Sequence, residues 1–159
     1  MARRATRGES GFSLAELLVL LAVIGIVTAF SVPMMLTYWR TATLTAGARE
    51  VAAALNSARE LAIRENTNVC VTTDGTRLQY HLATCGAAAW TGPVTDSVGN
   101  IRLDNGVTVL GTTDVIFNYL GAATQAGIGT YTVRRQNVTG SLIVTVAQNA
   151  RVSIGIGPP

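Results

Sequence analysis

The chain of 159 residues has room for one folded domain and one extended or membrane-spanning segment, and a second independent core is not expected. Hydrophobic residues make up 48% of it and charged residues 13%, about half the usual charged fraction. The net charge of +3 is concentrated at the N-terminus, where Arg3, Arg4 and Arg7 precede or flank Glu9. From residue 12 onward, nine arginines and eight acidic side chains leave a net charge of +1, which argues against a strongly basic nucleic-acid-binding protein.

The first predicted element is an apolar helix. Residues 17–39 form a run of 23 positions without a charged side chain, and about 20 largely apolar residues suffice for a helix to cross a bilayer. A secretory signal would end at a small-residue cleavage site, for which Ala29 and Ser31 could be mistaken, but the apolar run continues through Leu36. A membrane anchor explains this length better, and the arginines before it predict a cytoplasmic N-terminus.

A carboxylate lies at the start of this apolar helix. Placing the charge of Glu16 in hydrocarbon would cost a few kcal/mol even on mild insertion scales. One interpretation places the side chain at the level of the lipid headgroups, where it favours the positive end of the helix dipole. The other requires a cationic partner for Glu16.

Glu16 belongs to a longer motif, GFSLAELLVLLAVIGI at residues 11–26. This motif resembles the class III signal of type IV prepilins and type II secretion pseudopilins. In that family a dedicated peptidase cuts on the cytoplasmic side, after the glycine, and methylates the new N-terminal residue. The resemblance implies cleavage after Gly11, a methylated N-terminus at Phe12, an assembly role for Glu16 and a helix kink at Pro33.

The family's use of the glutamate is physically reasonable in this sequence. Cleavage would expose an α-amino group at Phe12, one helical turn from Glu16, and the amine of a neighbouring subunit could neutralise the carboxylate as helices pack. Glu16 would then set the register between subunits of a filament.

A second helical pattern follows at residues 45–66. Its apolar side chains form one stripe and its charged side chains occupy the opposite face, with Glu60 and Arg64 spaced as an i,i+4 pair and Asn66 as an acceptable stop. We expect both helical segments to form one long helix, kinked or loosened at Pro33. The predicted organisation is a leader at residues 1–11, a transmembrane and filament-core helix at 12–39, an amphipathic helix at 40–66 and a β-rich head at 67–159.

The head is predicted to be β-structure. Its strands are expected at residues 68–73, 76–82, 101–103, 107–110, 115–119, 129–135, 141–147 and 151–156, with a loop at 87–100. Asp74-Gly75 is a strong signal for a two-residue hairpin turn between the first two strands. One helix followed only by short strands predicts an α+β fold, with a mainly antiparallel sheet on the apolar face of the helix.

Three head segments resemble a subgroup of this superfamily. They are LNSARELAIRENTNVCV at residues 55–71, VIFNYLGAATQAG at 115–127 and SLIVTVAQNARVSIG at 141–155. They are similar to the helix-to-strand junction, a strand-plus-glycine segment and the closing hairpin of the GspH/FimT-type minor pilins and pseudopilins.

The sequence offers little reactive chemistry. One histidine, His81, and two cysteines, Cys70 and Cys85, do not have the spacing of a zinc site, and His81 is expected to be an ordinary strand residue. The cysteines are interpreted either as one disulfide in an oxidising compartment or as two separate buried thiols. We expect no enzymatic activity, no cofactor and no metal, since no nucleophile setting or phosphate-binding loop is present.

DNA binding is a weaker expectation from the resemblance. Some FimT-type pilins bind DNA through a Gly-Arg-x-Arg pattern in the last hairpin, and this chain keeps the first arginine as Arg151 but has Ser153 in place of the second. Arg134 and Arg135 could lie nearby and add phosphate contacts. The alternative is that these two arginines keep a strand edge soluble.

The expected function is therefore structural. The resemblance implies a minor pseudopilin or pilin of a type II secretion system or type IV pilus, inserted in the bacterial inner membrane with its head outside the cytoplasm and assembled near the filament tip. Its implied partners are other minor and major pilins, the prepilin peptidase and the inner-membrane assembly platform. The alternatives are a DNA-binding minor pilin for natural transformation and a membrane-anchored domain that is never processed.

Overall fold

The computed structural model describes residues 12–124 and 129–158. The chain divides into two compact units, Met1–Tyr38 and Trp39–Pro159. The first helix, α1 (Leu14–Arg64), contributes its first half to one unit and its second half to the other.

Helix α1 begins and ends where local sequence dictates. At its start the Ser13 carbonyl accepts the N–H groups of Glu16 and Leu17 at 3.0 and 3.1 Å. After its end Asn66 adopts a left-handed backbone, with φ of 48°, and the Thr67 N–H donates to a carbonyl five residues earlier, at 3.2 Å. This is the arrangement that terminates many helices, and it confirms Asn66 as the stop.

Eight strands follow, all within the second unit. They are β1 (Val69–Thr73), β2 (Arg77–Leu82), β3 (Asn100–Arg102), β4 (Val107–Gly111), β5 (Val115–Phe117), β6 (Thr130–Arg135), β7 (Leu142–Val146) and β8 (Val152–Ile156). Each predicted strand is present, with ends that differ by at most two residues. The strands form two four-stranded antiparallel sheets, in the orders β3-β2-β1-β5 and β4-β6-β7-β8. The fold is α+β as expected, and the division into two sheets is the feature that the sequence did not predict.

The first hairpin turns one residue later than its sequence signal suggested. The Asp74 N–H donates to the Arg77 carbonyl, so Gly75 and Thr76 are the two residues of the turn. Gly75 has a φ of +100°, a conformation that glycine adopts readily, which explains why it takes the first of these two positions. The Asp74 carboxylate accepts the N–H groups of Thr76 and Arg77 at 3.1 and 2.9 Å and holds the turn from outside it.

The described core lies entirely in the second unit. Every buried hydrophobic side chain falls between Leu44 and Ala150 of the described residues, and the set joins one face of α1 to both sheets. The helix comes close to the strands at Gly47, where a Cβ atom would lie 2.5 Å from a methyl carbon of Val107. Glycine at this position is therefore what permits the close approach.

Two buried tyrosines join the layers. The Tyr80 hydroxyl on β2 donates to the Ala54 carbonyl of α1 at 2.6 Å, and the Tyr131 hydroxyl on β6 donates to the Val71 carbonyl of β1 at 3.3 Å. Burial raises the pKa of both phenols well above the ordinary value. Both side chains are therefore neutral donors at physiological pH and tie the helix and two sheets together.

Candidate functional site

The N-terminal half of α1 is an apolar surface. All of its side chains from Leu14 to Tyr38 are exposed, and none of its most apolar 18-residue window is buried. Among the described residues, α1 is the one helix long and apolar enough to cross a membrane. An isolated soluble chain would not keep so large an apolar surface in water, so this segment requires lipid or other apolar helices around it.

Glu16 is the one charged residue on this surface. It occupies the first turn of α1, where its carboxylate lies near the positive end of the helix dipole. Its side chain is exposed, and the one ion pair within residues 12–124 and 129–158 joins Arg64 to Glu65, at the other end of the helix. The predicted cleavage residue Gly11 lies outside the described residues, and Phe12, the predicted new N-terminus, is 73% exposed.

Pro33 lies inside α1, which is continuous around it. Proline lacks an N–H, so the Ala29 carbonyl loses its helical partner at this point. Two threonine hydroxyls on either side bond back to helix carbonyls: that of Thr28 donates to the Ile24 carbonyl at 2.9 Å, and that of Thr37 donates to the Pro33 carbonyl at 3.1 Å. These bonds satisfy the two hydroxyls in an apolar setting, and the kink at Pro33 stays a prediction.

The two cysteines form a disulfide. Cys70 on β1 and Cys85 after β2 have Cα atoms 5.1 Å apart and close a loop of 15 residues. The Asp114 carboxylate lies near both sulfur atoms, but bonded sulfurs are not thiolates and this group does not have the donors of a metal site.

His81 lies on β2, between the two cysteines in the sequence. One of its ring nitrogens is 2.7 Å from the Ala87 carbonyl, and the other is 3.0 Å from the Thr72 hydroxyl. Both ring nitrogens are occupied, so the histidine has a structural environment.

The three arginines considered for DNA binding do not form one cluster. The strand registers place Arg134 of β6 opposite the start of β7 and Arg151 opposite its end. The two positions are six residues apart along β7, or about 20 Å at the usual rise of a strand. The expectation that Arg134 and Arg135 lie near Arg151 was therefore wrong, because β6 and β8 run in the same direction on either side of β7, which places the end of β6 and the start of β8 at opposite ends of the sheet.

The strand that carries the arginine pair is also internal. β6 lies between β4 and β7, so the interpretation of Arg134 and Arg135 as solubilising a strand edge was wrong as well. Arg134 points to solvent, whereas Arg135 is partly buried and donates a hydrogen bond to the Thr43 hydroxyl of α1. Arg135 thus contributes to the packing of helix on sheet.

A small cavity lies beside the last turns of α1. It has a volume of about 140 Å³ and is lined by Tyr80, Trp90 and residues of the helix. The Arg64 guanidinium lies 5.9 Å from the centre of the Trp90 ring and 3.4 Å from the Glu65 carboxylate. The Arg64 side chain makes these contacts with Trp90 and Glu65 in place of the predicted ion pair with Glu60.

The loop after β2 is built around one carboxylate. Asp96 accepts the N–H groups of Asn100 and Val98 at 2.8 and 2.9 Å, and these bonds lower the pKa of its carboxyl below the usual value. Gly99, with φ of +86°, completes the turn because a Cβ atom there would lie 2.7 Å from the Ala89 side chain. The loop therefore has a defined conformation beside the cavity.

The comparison with known families identifies the head. A family model described as "Type II transport protein GspH" matches residues 47–153, which is more than half of the chain. The chain belongs to the GspH family. A search of curated protein sequences finds no significant match.

Solved structures share the GspH-type fold. The chain is similar to the type IV minor pilin FimU of Pseudomonas aeruginosa, with a TM-score of 0.52 and 19% identity over 72% of this chain and 88% of that one. It is also similar to the minor pseudopilin EpsH from the Type 2 Secretion System of Vibrio cholerae, with a TM-score of 0.53 and 14% identity over 74% and 96% of the two chains. At these identities the likeness shows the fold, one long N-terminal helix with antiparallel sheets, and the pilin-like assignment from the sequence is confirmed.

Proposed function

We propose that this GspH-family chain is a minor pseudopilin or pilin. It is inserted in the bacterial inner membrane through residues 12–39, with its head outside the cytoplasm, and is processed after Gly11 and methylated at Phe12 by the prepilin peptidase. An assembly platform in the inner membrane then adds it near the tip of a type II secretion pseudopilus or a type IV pilus. The proposal is carried by the exposed apolar half of α1, joined in one helix to a GspH-type head.

The apolar half of α1 supports both stages of this proposal. Before assembly it is long enough to hold the chain in a bilayer. During assembly the same surface packs against the apolar helices of other subunits, which replace lipid around it.

Glu16 gives the assembly its register. Its carboxylate lies on an apolar surface without an ion-pair partner among the described residues, so packing it against apolar helices would leave a buried charge. The α-amino group released at Phe12 of a neighbouring subunit supplies the opposite charge. The helices can then pack closely only where amine and carboxylate meet.

The proposal predicts that the native host carries the chain in filaments. Filaments sheared from the cells should contain it together with other pilins, and deletion of the prepilin peptidase should remove it from this fraction while it stays in the membrane. The measurement is immunodetection in sheared and membrane fractions, with an unrelated single-span membrane protein as the control. A chain that remains in the membrane and never enters the sheared fraction, with or without the peptidase, would contradict the proposal.

A further inference from the structure

The register of the first sheet places a carboxylate beside the disulfide. Cys70 of β1 pairs with Ile116 of β5, so Asp114, two residues before Ile116, is the diagonal neighbour of Cys70 on the same face of the sheet. A carboxylate oxygen of Asp114 lies within 4.8 Å of both sulfur atoms of the Cys70–Cys85 bond. Any charge that develops on these sulfurs therefore develops next to a carboxylate.

No ion pair neutralises this carboxylate in the part of the chain that the structure describes. Asp114 is exposed, and an exposed aspartate is ionised at neutral pH. His81 is the titratable residue that faces Cys70 from β2, and both of its ring nitrogens are bonded to uncharged groups. At pH 8, where imidazole rings carry little charge, Asp114 therefore supplies the charge beside the two sulfurs.

The two cysteines differ in exposure. Cys70 is fully buried on the internal strand β1, whereas Cys85 is half-buried in the loop after β2. A thiolate from solvent therefore reaches the sulfur of Cys85. Thiol–disulfide exchange proceeds by attack of a thiolate on one sulfur and release of the other sulfur as a thiolate. Cys70 is then the leaving group.

This exchange places negative charge near Asp114. An external thiolate attacks Cys85 Sγ and forms a mixed disulfide, while the bond to Cys70 Sγ breaks and its electron pair stays on Cys70. A second thiolate attacks the external sulfur of the mixed disulfide and releases the thiolate of Cys85. The external thiol thus supplies both electrons and becomes its own disulfide, and the two cysteines take up the protons that the external thiols lost.

The carboxylate opposes this reaction at two points. It repels the incoming thiolate as that group approaches Cys85, and it disfavours the charge that is left on the buried sulfur of Cys70. Repulsion between like charges is stronger where water is partly excluded, as it is at a buried sulfur.

We propose that Asp114 is an electrostatic guard of the Cys70–Cys85 disulfide against reduction by anionic low-molecular-weight thiols, of which glutathione is an example. The guard discriminates by charge. A thiol that carries further carboxylates is repelled, whereas an ammonium group on the thiol offsets the repulsion. This property belongs to the head alone and does not depend on assembly into a filament.

Reduction rates of the full-length chain in nonionic detergent test this guard. The chain has only two cysteines, so alkylation and intact mass report the state of this one bond. Rates are measured at pH 8 and low ionic strength with glutathione and with cysteamine, each corrected for its own thiolate fraction. For Asp114→Asn we expect reduction by glutathione to be about fivefold faster than in the wild type, and the gain with cysteamine to be about threefold smaller.

Salt tests the same charge in the wild-type chain, without any substitution. In 1 M salt charges are screened beyond about 3 Å. The preference of the wild-type disulfide for cysteamine over glutathione should therefore fall by about threefold between 10 mM and 1 M salt. A preference that does not change with salt would overturn the proposal.

Two further variants separate charge from structure. Asp114→Glu restores the carboxylate and should react at close to the wild-type rate with both thiols. Asp104→Asn removes an exposed carboxylate that lies outside the group around the sulfurs, and it should leave both rates unchanged. Equal gains with the two thiols in Asp114→Asn would indicate a loosened structure and would overturn the proposal. So would wild-type rates with both thiols in that variant.

Discussion

The Glu16→Ala variant is expected to insert into the membrane normally and to be depleted from sheared filaments by tenfold or more. The variant keeps the apolar segment proposed to hold the chain in the bilayer but loses the carboxylate proposed to pair with the neighbouring amine. Removing one partner of a buried pair leaves the other charge uncompensated, at a cost of about 3–5 kcal/mol. A loss of about 1.4 kcal/mol already reduces an equilibrium tenfold.

Two further variants separate charge from shape and position. Glu16→Gln keeps the size of the side chain without its charge and should be depleted like Glu16→Ala. Glu60→Ala removes an exposed carboxylate from the second half of the same helix and should leave incorporation unchanged. The measurement is the ratio of the chain in sheared and membrane fractions. Normal incorporation of Glu16→Ala would remove the register role from this account.

Loss of the disulfide is expected to be the largest change in the stability of the head. The Cys70→Ala/Cys85→Ala variant opens a loop of 15 residues, and the chain-entropy model assigns such a loop about 3 kcal/mol of stabilisation. For a unit of this size the midpoint of thermal unfolding should fall by roughly 10 °C. Circular dichroism of the full-length chain in detergent, recorded in the β-sheet region, measures this shift.

Reduction supplies the matched control for this variant. A thiol reductant should lower the midpoint of the wild-type chain toward that of the double variant and leave the double variant itself unchanged. If wild type and double variant unfold at the same temperature without reductant, the disulfide does not stabilise the head.

The sequence predicted the elements of the fold because their signals are local. Helix α1 follows from an uncharged run joined to an amphipathic stripe, and its end follows from Asn66, which tolerates a left-handed backbone. The strands follow from alternating apolar residues bounded by glycine, asparagine and aspartate. The predicted cleavage after Gly11, the methylated N-terminus at Phe12 and the assembly role of Glu16 came from a motif resemblance, and no contact within a single chain tests them.

Features that depend on strand order were not predicted. Arg135 and Arg151 are 16 positions apart in the sequence, and only the register of β6, β7 and β8 shows that they lie at opposite ends of one sheet. The choice of Trp90 over Glu60 as a partner of Arg64 depends on a loop that folds back beside the helix. The position of Asp114 beside the disulfide is likewise a property of the sheet and has no signal in the local sequence.

The central claim is that this chain is a processed pilin subunit, and its N-terminus tests that claim most directly. Intact mass and N-terminal sequencing of the protein recovered from membranes of its native host should show a chain that begins with methylated Phe12 and lacks residues 1–11. A chain that still carries residues 1–11 would contradict the account, because no amine would then be available at Phe12 to neutralise Glu16 of a neighbouring subunit.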